Sequence, residues 1–269
     1  MTKYFVRKVS NLPKSDVFSI SLLFEVKINI KTLERTMSRE KILITGMSGL
    51  VGQVVANRLK STCDLSTLNR RLIKGVKCYQ ANINDLAEIR AAFEGINIVI
   101  HLAAVIESGW NGFLQSNIIG TYNVFEAARQ AGVRRIIYAS SGAVISGYEN
   151  QFPYQEIAQG EYEKVPRSWS KLTHETQVWP QGIYGCTKVW GEALARHFSD
   201  SSDMSFICLR IGAVNASDQP NQDRQFSVYC SQENIVGMVE ACIKAPDRIK
   251  FDIFYVVSDN RIWNMHKRC

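Results

Sequence analysis

The run Lys41-Ile42-Leu43-Ile44-Thr45-Gly46-Met47-Ser48-Gly49-Leu50-Val51-Gly52 constrains this chain more than any other stretch. A short apolar segment breaks into three glycines spaced by two residues and then continues in a helix-like pattern. Strand, glycine turn and helix start form the arrangement in which backbone N–H groups and the positive end of a helix hold a pyrophosphate. Gly46 and Gly49 are expected to give the tight turn and the close approach of a phosphate, and Gly52 the packing of helix on strand. Leu50 and Val51, between them, fall in the same binding turn. The spacing is Gly-x-x-Gly-x-x-Gly rather than Gly-x-Gly-x-x-Gly, so taken alone it also fits a turn followed by a packed helix.

From Lys41 onward strand-like runs alternate with helical ones, the pattern of parallel βαβ units. Strands are expected over 65–68, 76–79, 97–102, 135–140, 205–211 and 251–257, and helices over 85–93, 118–131 and 234–244. Another helix carries Tyr184. The reading is an α/β fold: a Rossmann-type doubly wound parallel sheet spanning 41–257, with a small C-terminal substrate lobe. Substrate-binding elements are expected in 148–182 and 213–250. The first of these is polar, contains Trp169, Trp179, Pro153, Pro166 and Pro180, and is long enough to suggest a lid or substrate loop. Residues 1–40 read as an appended, peripheral segment, with Met37 an ancestral start; a targeting role is the second reading. Residues 258–269 form a short tail.

Tyr184-Gly185-Cys186-Thr187-Lys188 places a phenol and an ammonium four residues apart on one helix face. A phenol with an ordinary pKa of roughly 10 needs about 3 units of depression to act as a base near neutrality, and a neighbouring cation is one source. Ser140 and Ser141 end a buried strand, where ligands sit in such sheets.

Composition narrows the remaining choices. The 269 residues are 46% hydrophobic, enough for a full core. The excess of 32 Lys+Arg over 25 Asp+Glu gives +7, which favours anionic ligands, while no basic run with interleaved aromatics points to nucleic acid. Seven cysteines without any Cys-x-x-Cys pair read as reduced, mostly structural thiols of a cytoplasmic protein. The four histidines lack zinc-ligand spacing, so no metal is expected. No apolar run reaches the roughly 20 residues of a membrane helix. A homodimer is an assembly the chain allows.

With the glycine turn, Ser140-Ser141, Tyr184 and Lys188 in that order, the chain resembles the extended short-chain dehydrogenase/reductase family from about Lys41 to Val257. His101-Leu102-Ala103-Ala104, Asn117-Ile118-Ile119-Gly120-Thr121 and Leu209-Arg210-Ile211-Gly212 agree with it. The likeness lies in the NAD(P)-dependent epimerase/dehydratase branch, more specifically the uronate dehydrogenases. The resemblance implies hydride transfer between a sugar-type hydroxyl compound and NADP or NAD. Tyr184 is then the proton acceptor, Lys188 lowers its pKa and holds the nicotinamide ribose, and Ser141 donates to the substrate oxygen. Asn117 orders the helix beside the site or is a helix N-cap. Arg210 binds a sugar carboxylate or forms an internal ion pair. Ile83, Leu102, Ala103 and Ala104 belong to the cofactor side.

Departures from the family pattern are as informative. Asn69, followed by Arg70 and Arg71, stands where NAD-specific members carry an acid, which favours a 2′-phosphate. Asn82 replaces an aspartate near the adenine. Gly142, Ala143 and Ile106 stand where uronate dehydrogenases have polar groups, so Trp169, Trp179, His174 or Trp110 is expected to line the pocket instead. The chain also stops where relatives continue. The alternative to an enzyme is therefore a non-catalytic dinucleotide-binding redox sensor or scaffold with a shortened substrate lobe.

Overall fold

A computed structural model describes residues 39–260. The expectations for an appended segment and for most of the tail lie outside the described residues. Within them, β1 (Lys41–Thr45), β2 (Asp64–Asn69), β3 (Lys77–Gln80), β4 (Ile98–His101), β5 (Arg135–Ser141), β6 (Ser205–Ile211) and β7 (Phe251–Val256) form one sheet. Its order is β3-β2-β1-β4-β5-β6-β7, and every neighbouring pair is parallel. The chain leaves β1 toward β2 and β3 on one side, then returns to β4 on the other. That reversal opens a crevice at the C-terminal ends of β1 and β4, where doubly wound sheets bind ligands.

β1, β4, β5 and β6 are buried over most of their length. They read as continuous apolar runs because helices cover both faces of a parallel sheet. On one face Leu43, Val99, Ile136 and Phe206 pack with Phe93, Phe125 and Phe198. On the other, Ile42, Ile44, Ile100 and Leu209 pack with Val55, Leu59, Ile235 and Val239. The principal helices are α1 (Leu50–Leu59), α2 (Leu86–Ile89), α3 (Gly120–Gln130), α4 (Tyr154–Gln159), α5 (Ile183–Ser201) and α6 (Gln232–Lys244). Asp85 caps α2 by accepting from Ala87 N and Glu88 N at 2.9 and 3.1 Å.

Three expectations are revised. The helix read as starting at 118 begins at Trp110 and passes through a π segment, Phe113–Ile119, before α3. The wider π turn breaks the 3.6-residue periodicity that a sequence pattern relies on. The stretch 148–182 is more than a loop, since it holds α4 and a 3₁₀ turn, Tyr162–Lys164. Within 213–250, α6 packs with α1 on one sheet face, and Arg58 reaches its Glu240 at 3.6 Å. Only the part before α6 borders the candidate site.

One buried cation ties the sheet to α6. Arg135 is fully buried on β5. Its Nη1 donates to Cys242 O and Ala245 O at 2.8 and 2.6 Å, its Nη2 to Pro246 O at 3.1 Å, and its Nε to Ser205 Oγ at 3.1 Å. The guanidinium thus serves carbonyls at the end of α6, where helix geometry leaves acceptors without partners and the dipole is negative.

Candidate active site

The glycine turn lies at the end of β1, beside the crevice. Gly46 has φ +74°, and a side chain there would also strike Ala103 N at 2.7 Å. The turn is therefore pressed against the start of the loop after β4, where Ala103 N donates to Thr45 Oγ1 at 3.2 Å. At Gly52 a Cβ would meet Gly46 O and Met47 Cα at 2.6 Å, so α1 packs directly on the turn. Gly49 differs: the nearest atom to a Cβ there is Gly46 O at 3.5 Å, which leaves its outer side open. It is the N-cap of α1, without a side-chain cap and without an acid in the first turn. A helix start with free N–H groups, a positive dipole end and no competing carboxylate fits a dinucleotide pyrophosphate. Leu50, Val51 and Gly52 supply those first-turn N–H groups.

The far end of this cofactor side is formed by β2 and the turn after β3. Asn69 is buried; its Oδ1 accepts from Ser48 Oγ at 3.4 Å and its Nδ2 donates to Arg71 O at 3.1 Å. The amide thus links the glycine turn to the residues that follow β2. Arg70 and Arg71 are exposed there and have no ion-pair partner among the described residues. Asn82 is exposed and accepts from Asn84 N at 3.4 Å. Ile83 instead turns inward: it is buried against Gly120, and its carbonyl accepts from Asn123 Nδ2 at 2.9 Å. Its side chain serves the core rather than the adenine surface.

Across the crevice, α5 carries Tyr184 and Lys188 one turn apart. Val51, Leu102, Ala104, Ser141, Tyr184, Lys188 and Arg210 all line one cavity of about 720 Å³. Ser141 Oγ accepts from Ala143 N at 3.1 Å at the end of β5. Ser140 also borders the cavity, and its hydroxyl donates to the buried Glu192 at 2.6 Å. Burial raises the Tyr184 phenol above its ordinary range, and a hydrogen bond with Ser141 opposes this. The expected depression by Lys188 is not among the influences on this phenol. Lys188, only 3% exposed, donates to Ala139 O at 2.7 Å. Burial lowers its own pKa to about 8, with Glu192 working the other way.

Asn117 lies in the π segment and caps no helix. Its Oδ1 accepts from Val105 N and its Nδ2 donates to Val105 O, both at 2.9 Å, and Nδ2 also donates to Thr187 Oγ1 at 3.0 Å. It fastens the loop after β4 to α5 beside Tyr184. His101 is another buried tie: its Nδ1 lies 2.7 Å from Thr45 Oγ1 and its Nε2 3.2 Å from Thr121 Oγ1. Burial, then the charge of Lys188, lowers its pKa to about 3, so it is neutral at ordinary pH.

The substrate side departs most from expectation. Arg210 is 2% exposed; its Nε and Nη2 grip both oxygens of Glu192 at 2.9 and 2.8 Å. Of the two readings left open for it, the structure contains the internal ion pair, because a buried carboxylate one turn beyond Lys188 takes its charge. Arg224, which sequence reasoning passed over, is the more accessible guanidinium on the cavity wall, with 45% side-chain exposure and a bidentate pair to Glu149 at 2.6 and 2.7 Å. Lys171 and Tyr154 join it. Trp169 lines the cavity as expected. Trp179 instead packs on Gly147 and against Tyr148, His174 lies beside Glu175 at 3.9 Å, and Trp110 is exposed. Among the described residues no cluster of three His, Cys, Asp or Glu could hold a metal, and no helix is long and apolar enough to cross a membrane.

A glycine turn at the switch point of a parallel sheet, open to a cavity that also receives a phenol, a hydroxyl and a buried ammonium, defines an oxidoreductase-type enzyme of the extended short-chain class. The chain belongs to the NAD dependent epimerase/dehydratase family, whose profile it matches over residues 42–229. It is similar to NAD-dependent glucose-6-phosphate dehydrogenase of Haloferax volcanii, with 29% identity across 82% of this chain and 86% of that one. It is also similar to uronate dehydrogenase of Agrobacterium fabrum, 32% identical across 77% and 73% of the two chains. Among solved structures, a uronate dehydrogenase variant from Agrobacterium tumefaciens in complex with NAD superposes with a TM-score of 0.69. That pair shares 28% identity, over 82% of this chain and 78% of the other.

Proposed function

We propose that this protein is an NAD(P)-dependent sugar oxidoreductase that oxidises a hydroxyl of a sugar or sugar acid. The observation that carries the reading is the convergence of Ser141, Tyr184 and Lys188 on the cavity that Val51 and Leu102 enter from the cofactor side. Bound nicotinamide supplies the hydride acceptor. Ser141 holds the substrate oxygen, and Tyr184, once ionised, takes the hydroxyl proton as the adjacent carbon loses hydride. Lys188 brings a cation beside that phenol and holds the nicotinamide ribose. Burial holds the Tyr184 pKa up, and the Lys188 ammonium, 5.5 Å from the centre of its ring, is the cation that favours the ionised form. On the substrate side, Lys171 and Arg224 line the cavity and are the cations an anionic group meets there, Arg224 by displacing Glu149 from its bidentate pair, in keeping with relatives named for a uronate and a sugar phosphate. On the cofactor side, Arg70 and Arg71 favour the 2′-phosphate of NADP.

The test is a screen of uronic acids, aldoses and sugar phosphates with NAD and NADP, comparing the parent with Tyr184→Phe. Turnover that falls by about 10²–10⁴-fold in the variant, with cofactor affinity retained, is the expected result. A variant as fast as the parent overturns the role of Tyr184. No turnover with any sugar, despite tight cofactor binding, replaces the enzyme reading with that of a dinucleotide sensor or scaffold.

A further inference from the structure

Ser140 on β5, Arg210 on β6 and Tyr255 on β7 are in register, each directly beside the next. Their side chains therefore share one face of the sheet, and their polar groups form a line. Ser140 Oγ donates to Glu192 Oε1 at 2.6 Å. Arg210 Nε donates to the same oxygen and Nη2 to the other, and Nη1 reaches Tyr255 Oη at 3.0 Å. The direction of this last bond is fixed by chemistry, because a guanidinium carries only donors. Tyr255 Oη must accept, which leaves its own proton to be given elsewhere.

Among the described residues Tyr255 Oη donates no hydrogen bond, and Tyr255 is part of the cavity wall. We propose that Tyr255 is a substrate-contacting residue, preset as a donor by the Ser140–Glu192–Arg210 chain, that hydrogen-bonds an acceptor oxygen on the substrate away from the oxidised carbon. This rests on the oxidoreductase reading above and deepens it. Tyr255 lies two strands from Ser140, roughly 10 Å across the sheet, whereas Ser141 is the next residue along β5. One hydroxyl thus reads the reacting end of the substrate and the other a more distant oxygen. Arg210 is then a positioning residue, which acts through Tyr255 without touching the substrate. The phenol remains a donor at ordinary pH, since burial raises its pKa against the opposing effect of Arg210.

The experiment measures KM and kcat for whichever of glucuronic acid, glucose 6-phosphate and arabinose turns over fastest, in the parent, Tyr255→Phe, Arg210→Lys and the double variant. Phenylalanine keeps the ring that lies 5.3 Å from the Arg210 guanidinium, so packing is preserved. The expected result is a KM at least tenfold higher in Tyr255→Phe, a smaller change in kcat and an unchanged Kd for NAD(P)H, the pattern of lost substrate binding. Arg210→Lys raises KM in the parent background and has little further effect once Tyr255 is Phe. A general loosening of the fold would instead give additive losses and move the cofactor Kd as well, and that result overturns the proposal. Should Arg210→Lys fail to fold, Tyr255→Phe alone decides. Tyr184-dependent turnover with an unchanged KM in Tyr255→Phe overturns the role of Tyr255 and leaves the oxidoreductase reading in place; no turnover by the parent overturns both.

Discussion

Asn117 and Thr187, seventy residues apart in the chain, are joined by a 3.0 Å hydrogen bond, and Thr187 in turn donates to Tyr184 O at 2.7 Å. The helix that carries Tyr184 and Lys188 is thereby fastened at the turn of the phenol. The same Asn117 amide holds Val105 by both backbone groups. Asn117→Ala should destabilise the protein by about 2 kcal/mol, through polar groups left without partners. Asn117→Asp should be as harmful, because a carboxylate accepts from Val105 N but cannot donate to Val105 O or Thr187. Denaturant midpoints measure the first effect, and kcat should fall with it. Parent-like values for both variants would remove the amide from the site's framework.

The glycine turn yields a prediction with two arms. At Gly49 a Cβ has ordinary clearance, so Gly49→Val should fold and yet lose NAD(P)H binding by at least a hundredfold, read by fluorescence titration. At Gly46 a positive φ combines with backbone atoms at 2.7 Å, so Gly46→Val should lower Tm as well. A Gly49→Val protein that binds like its parent would move the phosphate site elsewhere.

Cofactor preference follows from the residues after β2. Asn69 carries no charge to repel a 2′-phosphate, and the two arginines that follow it are exposed. NADPH should bind at least as tightly as NADH at equal ionic strength, and Arg70→Ala together with Arg71→Ala should weaken NADPH alone. A tenfold preference of the parent for NADH, about 1.4 kcal/mol, is the result that rules out the arginine contact.

His101 makes stability depend on acid. Its folded pKa is about 3, against roughly 6.5 in the unfolded chain. Between those values the unfolded state binds the extra proton, so stability is lost as pH falls from about 6.5 toward 3. His101→Gln should be less stable than the parent at neutral pH but show a shallower decline over that window. Equal slopes in chemical denaturation series would show that this imidazole does not titrate on unfolding.

The strands and the glycine turn were legible in the sequence for a simple reason. β1, β4, β5 and β6 are covered on both faces, and a doubly buried strand leaves an unbroken apolar run. The Tyr184–Lys188 pair was legible because helical spacing alone sets it on one face. What escaped notice depends on distant partners or irregular backbone. Nothing local marks Asn117 as the companion of Val105 and Thr187, and the π turn around it hides the helix start. Glu192 follows Lys188 at helical spacing, but only the β5–β6 register shows that it meets Ser140 and Arg210. Arg224 follows a polar stretch without periodicity, so its approach to the cavity had no pattern to announce it.

The Arg135 guanidinium also bears on how the protein can be cut. Its carbonyl partners at 242, 245 and 246 come more than a hundred residues later in the chain. A fragment that ended before α6 would keep the glycine turn, Tyr184, Lys188 and the Arg135–Ser205 bond, yet lose the three carbonyls that hold this guanidinium at the start of β5. The nucleotide-binding half is therefore no self-sufficient module: the start of β5 is fully held only when the last helix arrives.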